Sequence, residues 1–223
     1  GNNIIVSDKR GNIILYSVEN QKIIYKFNFY KKKFKKIKKN INLIYEKNII
    51  YASDNIGYLY AIDYLNNKIL WAKNFKKPFR SNLKIMQDKL VVADQDNTIY
   101  IINKKNGKND KIIPTEEVIL KNNFLNSFVA DEENFFYLNT YGSLYSINNK
   151  TDSFEWFLNL NSSSESTANN LFKSNPMILH DNNLIISADP FLYIIDKNNG
   201  RSKIKVNISS IVKPTSSAEK IFI

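Results

Sequence analysis

The chain has 223 residues, of which 43% are apolar and 24% are charged, and this balance excludes wholesale disorder. Lysine and arginine outnumber aspartate and glutamate by 32 to 21, but only three of these cations are arginines, so the net charge of +11 indicates solvated lysines more than a nucleic-acid surface. Because cysteine is absent, disulfides, thiol catalysis and thiolate metal sites are excluded.

An internal repeat organises the chain, and each copy predicts the order strand, turn, strand, turn, strand. The copies lie at about residues 1–30, 41–75, 82–113, 126–160 and 175–208, followed by the beginning of a sixth at 211–223. One position of the repeat is held by Ile14, Tyr60, Tyr100, Tyr145 and Tyr193, which are about 40 to 48 residues apart. That period is typical of a four-stranded propeller blade.

The turns of the repeat are marked by glycine, which tolerates a positive φ. First turns carry Gly11, Gly57 and Gly142, and second turns carry Gly107 and Gly200. The predicted strands are β-branched or aromatic, and no segment shows a capped period of 3.6 residues. The sequence therefore predicts an all-β fold: a single β-propeller domain over residues 1–223, with about five four-stranded blades.

The clearest copy of the repeat resembles the PQQ-like (quinoprotein-type) propeller repeat, which is WD40-like in architecture. Its residues are Tyr51-Ala52-Ser53-Asp54, Gly57, Leu59-Tyr60-Ala61-Ile62-Asp63 and Lys68-Ile69-Leu70-Trp71. The resemblance covers essentially the whole chain. Within this superfamily, the lysine-rich loops and the segments before two incoming blades are similar to the BamB family of outer membrane assembly factors. Those segments are Phe172-Lys173-Ser174-Asn175-Pro176 and Ser210-Ile211-Val212-Lys213-Pro214.

The BamB resemblance implies a non-enzymatic, protein-binding scaffold. Such proteins are lipoproteins of the periplasm, associated with the outer membrane of Gram-negative bacteria. The implied partner is the barrel-forming subunit of the β-barrel assembly machinery. Because that family has eight blades, about five copies imply a truncated chain or a smaller ring.

Two loops before incoming blades contain the candidate partner-binding residues. Phe79 and Arg80 lie in the first loop, and Leu171, Phe172 and Lys173 lie in the second. In BamB-like proteins an apolar loop that carries an arginine contacts the partner, and both loops are similar to it in chemistry. The alternative interpretation is that the two phenylalanines fill space between blades.

No cofactor, metal ion or catalytic residue is predicted. Asp94-Gln95-Asp96-Asn97 lacks the acidic spacing of a calcium loop, so we interpret it as a turn. His180 is the only histidine, which excludes a histidine metal cluster. Two other functions stay open: a sensor domain that binds unfolded chains, and a PQQ-dependent dehydrogenase.

Residues 31–39 contain seven lysines, with Phe34 and Ile37 between them. A lysine close to an anionic membrane contributes about 1 kcal/mol of binding, so a weak contact with such a surface is one interpretation of this run. The other is a solvated connection between the first two repeats. Nucleic acid is not an expected partner, because neither a stacking platform nor an arginine-rich groove accompanies the lysines.

Overall fold

The structure is a computed structural model, and it describes residues 3–34, 36–118, 124–161, 171–208, 210, 212–217 and 220–222. Within these residues the single helical element is a short 3-10 helix, Lys32–Phe34, and all other regular structure is β-strand. None of the described helical structure has the length and apolarity that a membrane span requires. Within each sheet the described strands pair in the order in which they follow one another along the chain, so each sheet is an antiparallel meander.

The first compact unit comprises residues 1–95 and 99–112 and contains three sheets. The first sheet consists of β1 (Asn3–Ser7), β2 (Ile13–Ser17) and β3 (Lys22–Phe27). The second sheet consists of β4 (Ile41–Glu46), β5 (Ile49–Asp54), β6 (Tyr58–Asp63) and β7 (Lys68–Asn74). The third sheet consists of β8 (Lys84–Met86), β9 (Lys89–Ala93), β10 (Ile99–Asn103) and β11 (Asn109–Ile113), and its first turn, residues 96–98, groups with the second unit.

The second compact unit comprises residues 96–98 and 113–223, and it contains two four-stranded sheets and one two-stranded sheet. The fourth sheet consists of β12 (Ser127–Ala130), β13 (Asn134–Leu138), β14 (Ser143–Asn148) and β15 (Phe154–Asn159). The fifth sheet consists of β16 (Ile178–His180), β17 (Asn183–Ser187), β18 (Leu192–Asp196) and β19 (Ser202–Val206). The two-stranded sheet consists of β20 (Thr215–Ser217) and β21 (Lys220–Phe222). That residues 1–223 form one domain stays a prediction.

The middle strands of the four-stranded sheets form the core of each unit. Five of the six residues of β6 are buried, and so are five of the six of β14. Both faces of these strands are covered, which explains why their sequences are continuously apolar instead of alternating. The outermost strands behave differently, since six of the seven residues of β7 are exposed.

The first turn of the second sheet shows why aspartate and glycine recur in the repeat. The Asp54 carboxylate accepts the backbone N–H groups of Ile56 and Tyr58, at 2.9 and 2.8 Å. Gly57 has a φ of +95°, and a Cβ there would lie 2.8 Å from the carbonyl oxygen of Lys77. In the first turn of the third sheet the backbone again adopts the left-handed conformation, here at Asn97, which has a φ of +64°.

A β-bulge interrupts the outermost strand of the second and fourth sheets at the same place. Ala61 pairs with Trp71 while Ile62 pairs with Ile69, so Leu70 is the extra residue. The fourth sheet has the same shift next to Trp156. The register therefore gives the two tryptophans equivalent positions, as the repeat alignment predicts.

Candidate partner-binding groove

Phe79, the aromatic residue of the first predicted loop, is buried. Only 3% of its surface is exposed, and its ring packs edge-on against Phe75 and Tyr100, with centroid distances of 5.1 and 6.1 Å. Its N–H donates to the carbonyl oxygen of Asp54 at 3.1 Å. The Phe79 side chain is therefore not an exposed anchor. Arg80 is half-buried, and its N–H donates to the carbonyl oxygen of Ala93 at 3.1 Å.

Phe172, in the second predicted loop, is buried in a similar way. It is 9% exposed, its ring centroid lies 6.2 Å from that of Tyr193, and its N–H donates to the carbonyl oxygen of Thr140 at 2.8 Å. A Cβ on Gly142 would approach the Phe172 ring to 2.9 Å, so the ring occupies the space that this glycine leaves. Both phenylalanine rings fill internal space, which is the alternative interpretation of the sequence. Whether either loop binds a partner stays a prediction.

The other two residues of the second loop are accessible. Leu171 is half-buried and Lys173 is exposed, and both line a groove of about 550 Å³ on the second unit. The remaining lining residues are Phe124, Leu160, Asn161, Phe172, Asp189, Pro190, Phe191, Tyr193 and Lys205. The structure thus brings Leu171, Phe172 and Lys173 together at one concave surface.

Aromatic rings line this groove together with the charged residues Lys173, Lys205 and Asp189. The ammonium group of Lys205 lies 4.3 Å from the ring centroid of Phe191 and 5.6 Å from that of Tyr193. Such cation–π contacts hold the charge over the rings. Burial raises the pKa of the Tyr193 hydroxyl, so this group stays neutral. The groove can therefore accept apolar side chains next to a carboxylate.

Sequence reasoning missed Phe191 and Lys205. Lys205 on β19 pairs with Tyr193 on the neighbouring strand β18. Both residues are far from Leu171 in the sequence, and only the folded chain brings them close to it. The alternation along β19 could have identified Lys205 as an outward-facing residue, but nothing in the sequence joins it to Leu171. No local motif marks this groove, because its residues come from separate repeats.

A second polar feature, around Glu116, was also missed. This half-buried carboxylate accepts hydrogen bonds from the Ser143 hydroxyl at 2.6 Å, from the Asn139 side-chain amide at 2.7 Å and from the Tyr145 hydroxyl. Burial alone would raise the pKa of Glu116, but the three donors outweigh it and lower the pKa below its usual value of 4.5. The carboxylate is ionised and its oxygens are occupied, so it connects three side chains and is not placed to transfer a proton.

Across the described ranges, no group of three or more histidine, cysteine, aspartate or glutamate side chains could hold a metal ion. His180 lies at the end of β16, with its Nε2 atom 3.5 Å from the carboxylate of Asp181. The Asp94 carboxylate is buried and accepts the Tyr100 hydroxyl at 2.9 Å, so this side chain belongs to the interior of its sheet.

The family model described as outer membrane protein assembly factor BamB matches residues 9–223. The chain belongs to this family. It has the PQQ-like β-propeller fold, with about five blades, as the repeat predicts. No curated protein matches its sequence.

Solved structures support the same fold. BamB from Moraxella catarrhalis is 15% identical, with a TM-score of 0.78 over 99% of this chain and 66% of that one. The computationally designed Ika8 protein is 11% identical, with a TM-score of 0.76 over 99% of this chain and 64% of that one. A chain of the Mitotic Checkpoint Complex is 11% identical, with a TM-score of 0.74 over 96% and 64%. This chain therefore spans about two thirds of the length of the structures it matches.

Proposed function

We propose that this protein is a non-enzymatic scaffold of the bacterial envelope that binds a protein partner through the groove beside Leu171. Membership of the BamB family supports a place in the outer membrane assembly machinery, in the periplasm and at the outer membrane. The partner proposed by the same resemblance is the barrel-forming subunit. The observation that carries the proposal is the groove itself, which is lined by Leu171, Lys173 and aromatic rings.

Backbone hydrogen bonds tie residues 172–175 to neighbouring strands and turns. Phe172 donates to Thr140, and Asn175 donates to the carbonyl oxygen of Ser187, both at 2.8 Å. Ser174 also forms an antiparallel bridge with Ala188. Backbone that is already hydrogen-bonded in this way loses little conformational entropy on binding, which would favour an apolar contact made by the adjacent Leu171.

The chemistry of the groove favours an extended segment with an apolar side chain and a carboxylate. The apolar side chain would pack against Leu171 and Phe191. The carboxylate would lie near Lys173 or Lys205, both of which are exposed. Charge complementarity of this kind increases specificity and the association rate more than the affinity.

The proposal is tested with the double variant Leu171→Ser, Lys173→Glu and the purified barrel-forming subunit. Removing an apolar anchor and reversing its neighbouring charge should weaken the affinity about tenfold or more, because anchors of this kind cost more than about 1 kcal/mol when truncated. The affinity is measured by titration calorimetry, and thermal unfolding verifies that the variant is folded.

The matched control is Leu65→Ser, Lys68→Glu. Leu65 is 69% exposed at the turn that follows β6, and Lys68 is exposed at the start of β7, so the chemistry of the change is the same. The control should bind like the unmodified protein. Unchanged affinity of the Leu171 variant, or an equal loss in the control, would remove the groove from the interface.

A further inference from the structure

The first unit carries a dense cationic surface that the proposed scaffold function does not use. We name it the lysine surface and define it by its exposed side chains: Lys9, Arg10, Lys31, Lys32, Lys33, Lys36 and Lys38. The backbone brings its two segments together, because the N–H of Lys39 donates to the carbonyl oxygen of Lys9 at 3.0 Å. Lys9 and Lys38 also line one hollow of about 450 Å³.

The segment that carries most of these lysines is fixed from inside by Lys39. This residue is only 5% exposed, and its ammonium group donates to the carbonyl oxygens of Phe34 and Ile37. The same ammonium group lies 4.6 Å from the ring centroid of Tyr30. Lys39 is therefore a buried residue whose hydrogen bonds hold the turn closed, whereas the neighbouring lysines face solvent.

The lysine surface also includes one exposed apolar side chain. Ile37 is 43% exposed and lies between Lys36 and Lys38, which are both exposed. Phe34, by contrast, is half-buried, with its ring edge-on to Tyr58 at a centroid distance of 5.8 Å. An exposed, branched apolar side chain flanked in the chain by two exposed lysines suits the boundary between headgroups and acyl chains.

We propose that the lysine surface docks on an anionic lipid bilayer, with its lysines on the headgroup phosphates and Ile37 inserted below them. The charge is complementary, and each lysine near such a surface adds about 1 kcal/mol. Single-stranded nucleic acid fits less well, because within 31–34 and 36–39 the one aromatic ring, that of Phe34, is packed against Tyr58. This inference stands apart from the proposed partner groove, which lies on the other unit.

The test is flotation of the full chain with vesicles of phosphatidylcholine, with or without phosphatidylglycerol at about a third of the lipid. The unmodified chain should float with the anionic vesicles and not with the neutral ones. Salt that shortens the Debye length from about 10 to about 3 Å should release it. Failure to float with anionic vesicles at low salt would overturn the proposal.

Two variants separate the lysine surface from net charge. Lys32→Gln, Lys36→Gln, Lys38→Gln should weaken vesicle binding roughly 100-fold, whereas a control that removes three exposed lysines elsewhere on the unit should stay within about threefold. The control is Lys22→Gln, Lys26→Gln, Lys68→Gln, all exposed positions on β3 and β7. Equal losses in the two variants would overturn the proposal in favour of nonspecific charge.

Two further measurements identify the occupant. Ile37→Ser should weaken vesicle binding several-fold while leaving its salt dependence unchanged, since it removes apolar contact and no charge. A single-stranded oligonucleotide should bind more weakly than the anionic vesicles at the same salt. Unaltered vesicle binding by the Ile37 variant, or tighter binding of the oligonucleotide, would contradict a membrane as the occupant.

Discussion

Alanine in place of Gly107 is expected to lower the free energy of unfolding by about 2 to 4 kcal/mol. Gly107 lies in the second turn of the third sheet with a φ of +69°, a conformation that disfavours a side chain. A Cβ at this position would lie 2.7 Å from the ring of Trp71. The Trp71 indole N–H also donates to the carbonyl oxygen of Lys104 at 3.0 Å. Because this hydrogen bond holds the ring against the turn, moving the ring away to make room for a Cβ would cost free energy.

A double-mutant cycle with Trp71→Ala isolates this contact. Trp71 is half-buried, so its truncation should cost about 2 to 4 kcal/mol, near the lower end for tryptophan in a core. Without the indole the new Cβ has room, and the double variant should lose at least about 1 kcal/mol less than the sum of the single losses. Urea denaturation of the four proteins measures the coupling.

The same contact between a glycine and a tryptophan occurs a second time in the chain, and another turn offers a control position. Gly200 and Trp156 have the same geometry, with a Cβ distance of 2.6 Å and an indole hydrogen bond to Lys197 of 2.9 Å, and the same coupling is expected. Asn67→Ala is the control. Asn67 has a φ of +54° in the equivalent turn of the second sheet, but the preceding repeat has Tyr25 where the second and fourth repeats have tryptophan, and the native residue already carries a Cβ. This change should cost only about 1 kcal/mol. Additive losses in both cycles would contradict the packing of tryptophan on glycine.

Removal of the Glu116 carboxylate is expected to cost about 3 kcal/mol of stability. Glu116→Ala leaves the Ser143 hydroxyl, the Asn139 amide and the Tyr145 hydroxyl without their acceptor, and each donor left unpaired costs about 1 kcal/mol or more. The pKa of Glu116 is lowered in the folded protein, so its stabilisation is present above pH 4.5 and is lost as the pH falls through the folded value. The difference between variant and unmodified protein should therefore shrink in acid.

Asp54→Asn is the control for this prediction. The Asp54 carboxylate is fully buried, and burial raises its pKa despite hydrogen bonds from Tyr30 and the turn N–H groups. An asparagine amide oxygen can accept the N–H groups of Ile56 and Tyr58, but its NH2 group replaces the oxygen that accepts the Tyr30 hydroxyl, so this change should cost about 1 to 2 kcal/mol. Because the pKa of Asp54 is raised in the folded protein, this loss should not shrink in acid, unlike that of Glu116→Ala. Chemical denaturation between neutral and acid pH compares the two variants. Equal stability of Glu116→Ala and the unmodified protein at neutral pH would refute the role given to Glu116.

The blades could be predicted from sequence because their signals are local. Gly57 and Asp54 define a turn within four residues, and the apolar run of β6 follows from burial of both its faces. The equivalence of Trp71 and Trp156 could also be predicted, since the repeat keeps their distance from the turn constant. Local chemistry and periodicity were sufficient for these features.

The connections between blades could not be predicted in the same way. Phe79 and Phe172 lie next to polar and basic residues and read as exposed, but their rings pack against tyrosines from strands that follow in the chain. Glu116 occupies the connection between the third and fourth sheets, where the donors to its carboxylate are contributed by residues 139–145. Burial of a loop side chain depends on the path of the chain, which no short motif encodes.

Site-specific photocrosslinking tests most directly whether the groove beside Leu171 receives a protein partner. A photocrosslinking amino acid replaces Lys173 in one protein and Lys68 in a second, both exposed positions. Irradiation with the barrel-forming subunit should yield a crosslinked product from position 173 and none from position 68. Crosslinks from position 68 alone, or from neither position while the two proteins still associate, would contradict the claim.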